Sequence, residues 1–216
     1  MRVGDRVRVV LHGRRVGGWV VAVGVDPPPG VALRPLAKWS GRGPTPDLIE
    51  LAEWAAWRWA GRPASLLRTA SPERVVTRLP AAPRRSPPSE RVADGEVMAA
   101  LSAAGSSGVL VRLPPAAPLD PVVLAAVAQG NALILCPTAA SAHAAGAALR
   151  RGGVPTALHP RDWALGAEGA TVVGTRAAAW APVGDLAEVL VIDEHDEAHR
   201  QEQAPTWHAR DVALER

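Results

Sequence analysis

The sequence predicts an α/β chain with a small basic, β-rich unit ahead of it. Three observations lead there. The first 25 residues alternate at period two. A stretch rich in Pro, Ser and Arg follows near the middle. Beyond it, strand-length apolar runs alternate with helix-length segments. The expected organisation is a first unit at residues 1–80, a linker at 81–95 and a second unit at 96–216. A chain of 216 residues is long enough to give such units real cores.

In the first unit, Val7, Val9 and Leu11 alternate with Arg6, Arg8 and Val10, a strand pattern. The stretch "HGRR" (12–15) reads as a hairpin turn, with Gly13 supplying a positive φ. "GGWVVAVGV" (17–25) reads as one or two further strands. "DPPPG" (26–30) ends them, because proline donates nothing to a ladder. "TPDLIELAEWAAWRWAG" (45–61) is a helix. Thr45 is placed to cap it, Pro46 fits its first turn and Asp47 complements its dipole. Leu48, Leu51, Ala55 and Trp59 share one face. Trp54, Trp57 and Trp59 are expected in the core, the alternative being base-stacking platforms. Residues 65–79 continue as a short apolar segment and then an amphipathic one.

The second unit opens with a helix at 97–105 and a strand at 108–113. A helix at 121–130 and a buried strand at 131–136 follow, then an Ala-rich helix at 139–153. Strands at 154–159, 170–175 and 186–193 complete it. Apolar strands alternating with helices imply a mostly parallel sheet covered on both faces. Such sheets bind ligands at the C-terminal ends of their strands.

Composition excludes several classes. The apolar run 122–136 is broken by Gln129, Gly130 and Asn131, so it does not span a membrane. The N-terminus lacks the apolar core of a signal peptide. One cysteine, Cys136, leaves no internal disulfide and no Cys-rich zinc site. A cytoplasmic location and no membrane partner are expected. The net charge of +3 divides unevenly, with +9 in residues 1–91 and −6 in residues 92–216. The basic part is the one whose field attracts phosphate.

Two motifs lie at predicted strand ends. "LVIDEHDEAHRQE" (190–202) contains the letters DEAH at 196–199, but Asp193 and Glu194 sit directly past the strand. That is where a nucleotide-hydrolysing fold holds magnesium and polarises water. "VVGT" (172–175) leads into Arg176, a plausible phosphate contact beside Gly174 and Thr175. The other half of a nucleotide site is missing. A phosphate loop needs glycines, a Lys and a Ser or Thr after the first strand. "PPAAPLDP" (114–121) offers four prolines and Asp120 instead, and the single lysine is Lys38. His195, His199 and His208 with Asp193 or Asp196 are zinc-ligand types, but no spacing supports a metal site. No hydrolase triad is convincing either.

"RVRVVLHGRRVGGWV", "LAEWAAWRWAGRPASLLRTASP", "ALILCPT", "VVGTRAAAWAPVGDL", "LVIDEHD" and "HARDVA" occur in the same order in one family. Across nearly its whole length the chain resembles the primosomal protein N′ (PriA) replication-restart helicases. Within them it is similar to divergent members lacking the Walker A motif. The resemblance implies a 3′-end DNA-binding domain followed by a partial RecA-like lobe of a superfamily-2, 3′-to-5′ DNA helicase. Asp193 and Glu194 would be a degenerate motif II, and Arg176 would lie near DNA. Arg14, Arg15 and Arg34 are the expected DNA contacts of the first unit. The implied partners are DNA at a fork or D-loop 3′ end, replication-restart proteins and single-stranded DNA-binding protein. The family's cofactors are ATP, Mg2+ and Zn2+, none of which this chain is expected to hold.

The departures are specific. The family's phosphate loop is replaced by "PPAAPLD", and the acidic box is one residue short. The first strand and a Phe-Asp-Tyr turn are missing. The zinc module and second RecA-like lobe do not follow "HARD", which reads as a fragment. The expected role is DNA binding in replication restart without ATP-driven unwinding. The competing roles are an active helicase with an unconventional nucleotide site, and a scaffold for replication proteins.

Overall fold

The computed structural model describes residues 1–84, 95, 99, 108–115 and 117–216. Most of the predicted linker and the helix expected at 97–105 lie outside the described residues.

The first unit is a three-stranded antiparallel sheet and two helices. Strands β1 (Arg6–Leu11), β2 (Arg14–Trp19) and β3 (Lys38–Gly41) lie in the order β2-β1-β3. The β1–β2 turn falls on His12 and Gly13, with φ of 47° and 76°. Two positive φ values make the primed turn that matches strand twist. The strand expected beyond Trp19 does not form. Val21, Val23 and Val25 are exposed, and the residues between β2 and β3 form no ladder. The prolines at 27–29 follow at once, and β3 already occupies the other edge of β1. Gly4 sits at φ 87°, where a Cβ would lie 1.6 Å from the carbonyl oxygen of Pro44. This crossing of two backbones admits no side chain.

Helix α1 (Pro46–Arg58) starts where predicted, with Pro46 in its first turn, Asp47 near its positive end and Arg58 at its negative end. Thr45 holds the cap position but makes no side-chain capping bond, and its hydroxyl is buried without a partner. Its backbone carbonyl accepts from Leu48 and Ile49 instead. Trp54 and Trp59 are half-buried and meet edge to face at 5.2 Å, whereas Trp57 is 80% exposed. Trp57 lies off the stripe carrying Leu48, Leu51 and Ala55, so the helical period turns it outward. Helix α2 (Pro63–Ala70) follows. The amphipathic segment expected after it forms no helix.

The second unit is built on four parallel strands, β4 (Asn131–Leu135), β5 (Thr156–Leu158), β6 (Thr171–Gly174) and β7 (Leu186–Val191), in the order β5-β6-β4-β7. Residues 108–113, expected as a strand, join no sheet. Val111 and Leu113 pack against Val122 and Ala125, but Pro114 and Pro115 follow directly and donate nothing. Helices α3 (Asp120–Ala126), α4 (Ala139–Arg151), α5 (Trp163–Ala167) and α6 (Ala209–Glu215) complete the unit, with a short β8–β9 pair (Arg200–Gln201, Trp207–His208) before α6.

The sheet is covered on both faces. Ala132 and Ile134 face Val123, Leu124, Ala145 and Leu149 from α3 and α4. Leu133 and Leu135 face the other way, into a core that includes Leu48, Leu51, Leu66 and Leu67. Part of the layer on that face therefore comes from α1 and α2 of the first unit. Trp180, fully buried in that same core, meets Trp207 edge to face at 5.7 Å. The Trp163 indole donates to the Ala70 carbonyl at the end of α2 (2.8 Å).

Gly4→Ala is expected to destabilise the chain by more than about 2 kcal/mol, through a positive φ and a steric clash together. Gly13→Ala also has a positive φ, but nothing lies near its Cβ position; it is expected to cost about 1 kcal/mol. Urea denaturation of both variants checks the difference.

Candidate nucleic-acid interface

Strand pairing decides which basic side chains of the first unit converge. Arg8 stands opposite Gly17 and Lys38, Arg6 opposite Trp19, and Val10 opposite Arg15. Because side chains alternate, Arg6, Arg8, Arg15, Trp19 and Lys38 share one face. Arg14, one residue from Arg15, belongs to the opposite face. Trp19 donates its indole N–H to Ser71 Oγ (2.8 Å), and Arg6 Nη1 donates to the Pro72 carbonyl (3.0 Å). These bonds hold the sheet against the end of α2.

Between the sheet, α2 and the strand-end loops of the second unit lies a cleft of about 1160 Å³. Arg6, Arg8, Arg15, Lys38 and Arg68 line it, with Glu73 as the one acidic residue on its wall among the described residues. None of the five cations is in an ion pair within the described residues. Arg42, by contrast, is committed: its Nη1 reaches Asp5 Oδ1 at 3.0 Å, and Asp5 is 2% exposed. The Arg42 guanidinium also sits 5.8 Å from the ring of Trp39, which is 39% exposed and borders the cleft. Uncompensated positive charge beside an accessible indole suits a phosphate backbone carrying aromatic bases.

Of the basic residues singled out in the first unit, Arg15 lines this cleft. Arg14 and Arg34 are exposed but stand outside its wall. Sequence reasoning missed Arg6, Arg8, Lys38 and Arg68. The period-two placement of Arg6 and Arg8 was a signal for the first two. Lys38 and Arg68 needed the pairing with β3 and the packing of α2.

The acidic turn stands at the C-terminal end of the parallel sheet, as expected from its strand. Ile192 N–H still donates to the Leu135 carbonyl, and Asp193 follows at φ 50° with its side chain exposed. The turn closes through Asp196 N–H to the Asp193 carbonyl (2.8 Å). Glu194 is half-buried beside His195, with Oε2 to Nδ1 at 3.4 Å. The letters DEAH at 196–199 do structural work. Asp196 Oδ1 accepts from Ala198 N–H (2.8 Å), and the buried His199 ring lies 2.9 Å from the Ile192 carbonyl through Nε2. Arg176 Nη1 donates to the carbonyls of Ala198 (3.2 Å) and Arg200, clasping this segment to the end of β6.

The stretch where a phosphate loop is expected does not fit a triphosphate. Pro114, Pro115, Pro118 and Pro121 have no N–H to offer. The Asp120 carboxylate occupies the first turn of α3, where it pairs with Arg151 at 3.1 Å. At the head of α4, Thr138 and Ser141 satisfy each other in a capping box. Nearby, burial pushes the Cys136 thiol up to about 12, against a hydrogen bond from Ser141 that lowers it; the Asp193 charge adds to the rise. Among the described residues, no cluster of three or more His, Cys, Asp or Glu is arranged to hold a metal, and no helix is long and apolar enough to cross a membrane.

Comparison with known proteins places these features. Residues 1–72 match the family model "3′DNA-binding domain (3′BD)" of PriA. The probable replication restart protein PriA of Mycobacterium tuberculosis is 31% identical over 98% of this chain and 37% of that relative. Replication restart protein PriA of Bacillus subtilis is 40% identical over 21% of the chain and 6% of its own length. That of Chlamydia pneumoniae is 41% identical over 26% and 8%. The chain thus spans little more than a third of the mycobacterial relative.

His159, at the end of β5, also lines the cleft, and burial pushes its imidazole down to about 4. The folded pKa lies below the unfolded value of 6.5, so the unfolded chain binds the extra proton between them. Stability is therefore expected to fall as pH drops from about 6.5 to about 4, by on the order of 3 kcal/mol. Urea denaturation across that range checks this, and His159→Gln is expected to flatten the loss.

Proposed function

Since the chain carries the N-terminal portion of a PriA-family replication restart protein, we propose that it is a DNA-binding component of replication restart whose nucleotide site no longer works. The observation that carries this reading is the basic cleft. Five cations without carboxylate partners among the described residues face one space, in the part of the chain that matches the 3′ DNA-binding domain. Phosphates entering the cleft release their condensed counterions, which drives binding without reading sequence. Trp39 adds a stacking surface for an unpaired base, as expected for a site that takes a DNA 3′ end at a fork or D-loop.

The second unit reads best as a partial RecA-like lobe. Four parallel strands and an Asp193–Glu194 turn at the C-terminal end of β7 support that reading. Its motor chemistry is absent in this proposal, because the stretch 114–121, where the family carries its phosphate loop, offers prolines and Asp120 rather than a cradle of N–H groups. The protein would work in the cytoplasm at the nucleoid. There it would bring restart proteins and single-stranded DNA-binding protein to the DNA it holds.

Tailed or forked DNA is expected to bind with an affinity that falls steeply with salt. Arg8→Ala with Lys38→Ala is expected to weaken binding and to reduce the log–log salt slope by about 0.7 per lost phosphate contact on a single strand. Binding indifferent to salt and to both substitutions would refute the assignment. Asp193→Asn is expected to leave DNA affinity unchanged. DNA-stimulated ATP hydrolysis that disappears in this variant would restore the active-helicase reading.

A further inference from the structure

The small sheet has an open edge. In the order β2-β1-β3, the outer side of β2 pairs with no strand among the described residues. Val20 N–H donates to the Asp5 carbonyl (3.0 Å), and the Val20 carbonyl accepts from Gly4 N–H (2.7 Å). By alternation, Gly18, Val16 and Arg14 also turn towards β1. Arg15, Gly17 and Trp19 therefore turn their N–H and C=O groups outward. Two devices that commonly blunt such an edge are missing. β2 contains no proline, and its register with β1 runs from Arg6–Trp19 to Leu11–Arg14 without a bulge. Nothing lies within 4 Å of a Cβ position at Gly17 or Gly18.

The side chains beside this edge differ by face. One face carries Val9, Leu11 and Val16, half-buried or exposed, with Arg14 at its end. The other carries Arg8 and Arg15. From Arg6 to Val25 the sequence has four arginines and no carboxylate. We propose that β2 is a docking edge for an extended acidic segment of a partner protein, which joins the sheet as an added strand. Main-chain bonds to Arg15, Gly17 and Trp19 supply the affinity. The segment alternates, with aliphatic side chains beside Leu11 and Val16 and carboxylates beside Arg8 and Arg15. Charge selects this occupant over a second copy of the chain, because two such edges would bring their arginines together with no carboxylate between them. Arg15, Gly17 and Trp19 also line the basic cleft, so the added strand stands at its rim. The docking goes beyond the DNA-binding reading and does not depend on it.

The test uses the whole chain without nucleic acid and a peptide of about eight residues in which Val and Glu alternate. A second peptide has the same composition with the valines and glutamates in separate blocks. Fluorescence anisotropy is expected to show the alternating peptide binding at least roughly tenfold more tightly than the block peptide. Amide hydrogen exchange is expected to slow at Arg15, Gly17 and Trp19 when it binds, and to stay unchanged at Val16 and Gly18. Gly17→Pro removes an outward N–H without touching the ladder to β1, and is expected to abolish the preference. N-methylation of every second peptide amide is expected to abolish it on the unaltered protein, whatever the stability of the variant. Equal binding of the two peptides, unprotected amides at Gly17 and Trp19, or no binding of either peptide overturns the docking edge. Protection of those amides that rises with protein concentration in the absence of peptide makes a second copy the occupant and overturns the acidic partner.

Discussion

The packing of α1 and α2 against Trp180 is the constraint on which the other features depend. The segment Arg176–Trp180 leaves the end of β6 and buries Ala178, Ala179 and Trp180 against those helices. Trp207 closes the same core from the β8–β9 side, and the Trp163 indole pins the end of α2. Arg216 ties a further corner, donating to the carbonyls of Ala179 (3.0 Å) and Ala181 (2.7 Å) and reaching Asp47 at 3.7 Å. Burial lowers the Arg216 guanidinium to about 10, and it remains charged at neutral pH. Because this core is common to both units, the small sheet is held over the strand ends rather than tethered beside them. The basic cleft is the space that arrangement leaves.

The same constraint explains how one region can be rigid and another open. Leucines and alanines of α1 and α2 are spent on the shared core, so the small sheet has little left to bury. Val10, Leu11 and Val16 are exposed, and Arg6, Arg8 and Arg15 lie along one face without a carboxylate partner among the described residues. A sheet of three short strands is marginal alone. Here it is stabilised by the buried Asp5–Arg42 pair, the Gly4–Pro44 crossing and the Trp19–Ser71 bond.

Much of this was legible in the sequence, and the failures have physical causes. The hairpin, α1 and the four parallel strands followed from periodicity and turn chemistry. Asp193 stands past the end of β7, where the aliphatic run before it led one to expect it. The basic wall was harder. A shift of one residue sends a side chain to the opposite face of a sheet, so choosing Arg14 together with Arg15 mixed two faces. Arg34 lies in a stretch whose prolines prevent a ladder. The segment 108–113 has a strand's composition but no strand's hydrogen bonds. Thr45 has the right position and the wrong side-chain geometry for a cap. That α2 contributes Arg68 to the wall depends on contacts between distant parts of the chain, which periodicity does not encode.

The buried Cys136 has a practical consequence for the whole molecule. It is the single thiol of the sequence, fully enclosed at the end of β4 and held protonated far above neutral pH. A protonated, inaccessible thiol reacts with neither alkylating reagents nor mild oxidants. The native protein is therefore chemically silent towards maleimides. A cysteine introduced on its surface would be the one labelled position, with no need to remove the natural residue. Conversely, slow labelling of the unaltered chain would time the opening of the sheet around β4, reporting its local unfolding from inside.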